Sequence, residues 1–96
     1  MEYSCEEKAK LFKAFCDPHR QAVLEFLKDG EKCVCKLTEN LGIPQSSLSY
    51  HLKILCDSGV IKGHEVGKWT HYEIDRDALD RAVEILCSLK GSKQER

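Results

Sequence analysis

Apolar residues recur along most of this chain at intervals of three and four, the spacing that lays them on one face of a helix. Leu11, Phe12 and Phe15, with Ala9 and Ala14 around them, predict a first helix over residues 5–15. Asp17-Pro18 then marks a helix start, because an Asp carboxylate accepts from free amides and proline at the first position gives up no needed N–H. The stripe Ala22, Val23, Phe26, Leu27 carries this second helix over 18–28, to Asp29-Gly30. Val34, Leu37 and Leu41 define a short helix over 34–41 closed by Gly42, and Leu48, Leu52 and Leu55 with Ile54 define the next over 45–57. Two short helices joined at a glycine suggest helix-turn-helix.

The periodicity then changes. Val60-Ile61 opens an extended stretch punctuated by Gly63 and Gly67, and Trp69 to Ile74 alternates in the manner of a strand, so residues 60–74 read as a hairpin with a charged tip. Trp69 and Tyr72 are expected to anchor that hairpin by packing inward. Asp77 is expected to cap a last helix over 78–89, striped by Leu79, Ala82, Val83, Leu86 and Leu89, and Gly91 to Arg96 reads as a frayed tail. The expected fold is mainly α with a β-hairpin wing, in the order α-α-α-α-β-β-α, filling all 96 residues as one winged helix-turn-helix domain.

Charge gives no general support for a polyanionic partner, since 15 basic residues face 16 acidic ones. Residues 32–68 alone are positive, with 5 basic and 3 acidic residues, and these include the helix-turn-helix and the hairpin. On the helix over 45–57, the leucine face leaves Gln45, Ser46, Ser49, Tyr50 and Lys53 outside, flanked by Ser47 and His51. Gln, Ser and Lys are side chains that bond base edges or phosphates when a helix enters the major groove. A solvated helix face has the same composition, and the neighbouring turn and hairpin favour the DNA reading. Lys62, His64, Lys68 and His71 are expected near the hairpin tip as phosphate or minor-groove contacts.

Six cysteines would suggest a disulfide scaffold in a secreted chain. No secretion signal opens this sequence and no apolar run approaches a membrane span, so the expected location is the cytoplasm, with reduced thiols and no membrane partner. Cys33 and Cys35 are two residues apart, about 200° apart on a regular helix but on one side of extended chain. They can chelate only where a helix is just beginning, and there the helix amino end also favours thiolate. A bare Cys-x-Cys more often marks two buried structural cysteines than a metal site.

Three segments together carry a specific resemblance: Lys32-Cys33-Val34-Cys35-Lys36-Leu37, Gln45 through Lys53, and Gly67-Lys68-Trp69-Thr70-His71-Tyr72 are similar to signatures of the ArsR/SmtB family, with Asp17-Pro18-His19-Arg20 resembling the start of its second helix. The resemblance runs from about Leu11 to Leu89. It implies a homodimer joined through the first and last helices, bound to an imperfectly palindromic double-stranded operator and released by an inducer. The Cys-Val-Cys box is similar to that of repressors responding to arsenic and antimony, so the implied inducer is As(III) or Sb(III). Cd(II) or Pb(II) is the alternative within the same family, and a cysteine redox or sulfur-species sensor is a third reading. The family's site for zinc, cobalt or nickel on the last helix has no match, because that region offers Ala78 and Leu89 and no histidine. Thr38 stands where arsenic-type boxes often have a third cysteine, which leaves Cys5 or Cys16 as a possible third ligand. Cys56 and Cys87 are expected as core fillers. No phosphate loop or acid–base pair suggests an enzyme.

Overall fold

A computed structural model describes residues 2–91; the expected frayed tail beyond Gly91 lies outside the described residues. The order is α1 (Cys5–Lys13), α2 (Pro18–Leu27), β1 (Lys32–Cys33), α3 (Val34–Leu41), α4 (Gln45–Ser58), β2 (Ile61–Val66), β3 (Trp69–Ile74) and α5 (Arg76–Ser88). Local chemistry explains most boundaries. Ser4 and Glu7 form a reciprocal capping box on α1. Asp17 accepts from the amides of His19 and Arg20 with Pro18 at the first turn of α2. Gly42 and Gly59 end α3 and α4 in the left-handed region, at φ 67° and 85°.

Three differences from the sequence reading have physical causes. The helix expected over 5–15 stops at Lys13, where the chain turns to bring Asp17 to the head of α2. The last helix begins at Arg76, because Asp75 rather than Asp77 accepts from the first amides and β3 runs straight into it. A strand was not expected before α3, yet Lys32 and Cys33 pair with Tyr72 and His71, giving a three-stranded antiparallel sheet in the order β1-β3-β2. Two residues are too few to show a period.

The core gathers Leu11, Val23, Leu27, Leu37, Leu48, Leu52, Leu55, Val60, Ile61 and Ile85 around α4, which packs against α1, α2 and β2. Only part of the expected stripe of α5 joins it. Ala78, Ala82 and Ile85 are buried, whereas Val83, Leu86 and Leu89 are 59, 54 and 75% exposed. Trp69, expected to pack inward, is 54% exposed, because it sits at the hairpin end where no second layer covers the sheet. Tyr72 does pack against the core, with its ring edge over Gly63, where a Cβ would meet Cε1 at 2.9 Å. Among the described residues, no helix is long and apolar enough to cross a membrane.

Candidate DNA-reading face and thiol site

The leucines of α4 turn inward and leave Gln45, Ser46, Ser49, Tyr50 and Lys53 exposed, with Ser47 half-buried at the edge of the same face. Lys53 Nζ lies 3.1 Å from Asp57 one turn on, and both groups are solvated. Such an exposed pair holds its charge weakly, so Lys53 is free to exchange it for a phosphate. His51 departs from the expected reading face. It continues the stripe of Leu48, Leu52 and Leu55, is only 6% exposed, and its Nδ1 accepts from Nη1 of the equally buried Arg20 at 3.0 Å.

Arg20 organises the contacts behind this face, a role its place in the helix-start segment alone does not reveal. Its Nε donates to the Lys13 carbonyl at 3.0 Å and its backbone amide donates to Asp17. Because a guanidinium has no acceptor, His51 must carry its proton on Nε2, which faces Asp17 Oδ1 at 3.8 Å. Burial opposes ionisation of the Asp17 carboxyl, but the amides of His19 and Arg20 and the nearby His51 and Arg20 outweigh it and hold its pKa below the ordinary carboxylate value. The network ties the end of α1, the head of α2 and the middle of α4 together. Its signal was present in the chain: Arg20, Val23 and Leu27 share one helical face, so Arg20 falls on a buried stripe.

On the hairpin, Lys62 and Lys68 are exposed, and Lys68 flanks the tip glycine Gly67 at φ 64°. The two histidines expected with them are engaged elsewhere. His64 Nε2 lies 3.2 Å from Glu31 Oε1, and the imidazole Nδ1 of His71 donates to Glu31 Oε2 at 2.9 Å. Both point across the sheet toward β1 rather than out from the tip. Glu31 is a loop carboxylate, and nothing in its sequence context announces a partner 40 residues away.

Cys33 is the last residue of β1 and the N-cap of α3, in extended conformation at φ −69° and ψ 145°. Cys35 is therefore in the first turn, and the two sulfurs lie 2.8 Å apart, with the Cys35 thiol donating to Cys33. That bond, then burial and the Cys33 charge, raise the Cys35 pKa above the ordinary thiol value. At bond lengths of about 2.3 Å, typical of metal–thiolate bonds, one soft ion can bridge such a pair after a small opening of the side chains. Thr38, one turn later, donates its hydroxyl to the Val34 carbonyl. Among the described residues, no cysteine belongs to a group of three close donors. Cys5 and Cys16 are exposed on or just after α1, and α1 packs on α4 and α5. Cys56 and Cys87, expected as core fillers, are exposed; their helices fill the core with Leu52, Leu55, Ala82 and Ile85.

Residues 17–62, from the Asp17 cap through the reading helix to the first strand of the wing, match the family described as bacterial regulatory protein, arsR family. An uncharacterized HTH-type transcriptional regulator of Methanocaldococcus jannaschii, MJ1325, is 38% identical over 85 residues, covering 88% of this chain and 96% of its own. The arsenical resistance operon repressor of Bacillus subtilis is 38% identical over 86 residues, covering 88% of this chain and 82% of its own. Among solved structures, the ArsR family transcriptional regulator RHA00566 superposes with a TM-score of 0.87 at 27% identity, over 100% of this chain and 99% of that one. The chain belongs to the arsR family of regulatory proteins, and with its winged helix-turn-helix it is a DNA-binding transcriptional regulator rather than an enzyme.

Proposed function

We propose that this protein is a cytoplasmic repressor that holds operator DNA as a homodimer and releases it when As(III) or Sb(III) binds the Cys33 and Cys35 thiolates. The observation that carries the reading is the 2.8 Å separation of the two sulfurs at the start of α3. Trivalent arsenic and antimony are soft and bind thiolate in preference to oxygen or imidazole. The arsenical resistance repressor of Bacillus subtilis, 38% identical, supports the choice of inducer.

DNA contact is assigned to Gln45, Ser46, Ser47, Ser49, Tyr50 and Lys53 in the major groove, and to Lys62 and Lys68 on the wing. Val83, Leu86 and Leu89 supply an apolar face on α5 that a second copy covers, pairing two reading helices for a palindromic operator. The pyramidal ion takes a third thiolate from Cys5 or Cys16 of that second copy, since neither joins the pair within one chain.

The mechanism follows from what the box is attached to. Cys33 pairs with His71 of the wing and begins α3, whose buried Leu37 joins the same core as Leu48, Leu52 and Leu55 of the reading helix. An ion that opens and clamps the two sulfurs therefore acts on both DNA-contacting elements at once. Inducer and operator must weaken each other reciprocally, and a coupling of about 1–3 kcal/mol changes affinity by roughly tenfold or more.

The test is fluorescence anisotropy on a labelled fragment of the promoter upstream of its own gene. Arsenite is titrated into reduced wild-type protein and into Cys33→Ser/Cys35→Ser protein, with cadmium and peroxide in parallel. Release of the wild type alone by arsenite is the expected result. Equal release of both proteins, or release by peroxide alone, overturns it, the latter in favour of a thiol redox sensor. Release by cadmium but not arsenite keeps the box and changes the inducer.

A further inference from the structure

We propose that Glu31, His64 and Glu73 form a second metal site on the sheet, specific for a borderline divalent cation of the zinc class and separate from the thiol pair. The register of the sheet brings them together. His64 is the direct partner of His71, Lys62 of Glu73, and Cys33 of His71, so all these side chains leave the sheet on one face. Glu31, two residues before Cys33, reaches over the same face. One donor atom from each of Glu31, His64 and Glu73 lies within 4.8 Å of the others.

The distances suit a small cation. Four ligands around zinc at about 2.0–2.1 Å stand about 3.3 Å from one another in a tetrahedron. His64 Nε2 and Glu31 Oε1 are already 3.2 Å apart, so that edge exists, and Glu73 closes the third corner by a modest rotamer change. Glu73 is half-buried and joins no ion pair among the described residues, although Lys62 stands opposite it. His71 acts as a positioning residue: its Nδ1 donates to Glu31 Oε2 and turns Oε1 toward His64, as partners of ligating carboxylates do. Two carboxylates and an imidazole with an open fourth position fit zinc, and fit cobalt as its spectroscopic substitute. The other group of close donors, Asp17, His19 and His51, has the Arg20 guanidinium bound to His51, which excludes a second cation.

The site spans three separate segments: the turn after α2, β2 and β3. A cation there fastens the wing to the segment that begins the thiol box, without using a sulfur.

The experiment uses the full chain carrying Cys33→Ser/Cys35→Ser, titrated with Co(II) and then with Zn(II) in competition. The expected result is one Co(II) per chain with d–d absorption and no thiolate charge-transfer band, displaced by Zn(II). On the same background His64→Gln and Glu73→Gln each weaken binding at least tenfold. His71→Gln keeps the stoichiometry but moves the d–d band and weakens binding. Circular dichroism checks that these variants stay folded. The proposal fails if no Co(II) binds, if a thiolate band accompanies binding, or if His64→Gln and Glu73→Gln bind like the parent. None of these outcomes depends on whether arsenite releases DNA.

Discussion

The guanidinium of Arg20 lies 3.0 Å from Nδ1 of His51, and both side chains are buried at 6% exposure, so the reading helix is pinned to the head of α2 by a charged hydrogen bond in the interior. Removing one partner leaves the other buried and unsatisfied, a cost of about 1–3 kcal/mol. Arg20→Met is therefore expected to lower the melting temperature by about 4–8 °C for each kcal/mol lost in a domain of this size. It should also weaken operator binding, although Arg20 is buried away from the exposed face of α4. Calorimetry and anisotropy on the same preparation check both; unchanged melting contradicts the assignment.

Asp17 gives the network a pH dependence. Its pKa is lower in the folded chain than the ordinary value of 3.8, so the folded state favours the ionised carboxylate. A depressed carboxylate stabilises the fold above its unfolded pKa, and the gain is lost as pH falls through the folded value. Wild type is expected to melt higher than Asp17→Asn near pH 6, with the gap closing on acidification below about 4. A gap that persists unchanged in acid would mean that the charge is irrelevant and the cap geometry alone matters.

The face of Val83, Leu86 and Leu89 makes a prediction about assembly. These residues contribute nothing to the core of their own chain, so Leu86→Glu should leave the monomer folded. Buried in a dimer, an unpaired carboxylate is costly, and the dimer should dissociate at micromolar concentration. Light scattering after size exclusion reads the state, and operator affinity should fall with it. A Leu86→Glu protein that remains dimeric would place the interface elsewhere.

Gly63 sits beneath Tyr72, where an added Cβ would meet ring carbons at 2.9 and 3.1 Å and the Thr70 methyl at 3.3 Å. Gly63→Ala is expected to displace the ring and cost about 1–3 kcal/mol, as overpacking does. Because Tyr72 also pairs with Lys32 of β1, the loss should loosen the wing and the start of the thiol box together. Amide exchange of β2 and β3 measures it, with faster exchange in the variant expected.

The helices and the hairpin could be read from the chain because their causes are local. Leu48, Leu52 and Leu55 define α4 by spacing, and Asp17-Pro18 and Gly42 place the start of α2 and the end of α3 by backbone chemistry. The Cys33-Val34-Cys35 spacing also stated its own condition, a helix just beginning, and α3 starts at Val34. His51 could have been removed from the reading face on the same grounds, since it lies on the leucine stripe.

What only the tertiary structure decided depends on residues distant in sequence. Cys33 and Cys35 share one side because β1 exists, and β1 is a strand only because β3 pairs with it. The bond from Arg20 to His51 and the joining of Glu31 with His64 and His71 arise when helices pack and strands register. Periodicity tells which residues turn inward along one element, but it carries no information about which side chain of another element waits there. That is fixed by the crossing of α2 over α4 and by the register of β3 between its two neighbours, both products of burying the whole core at once.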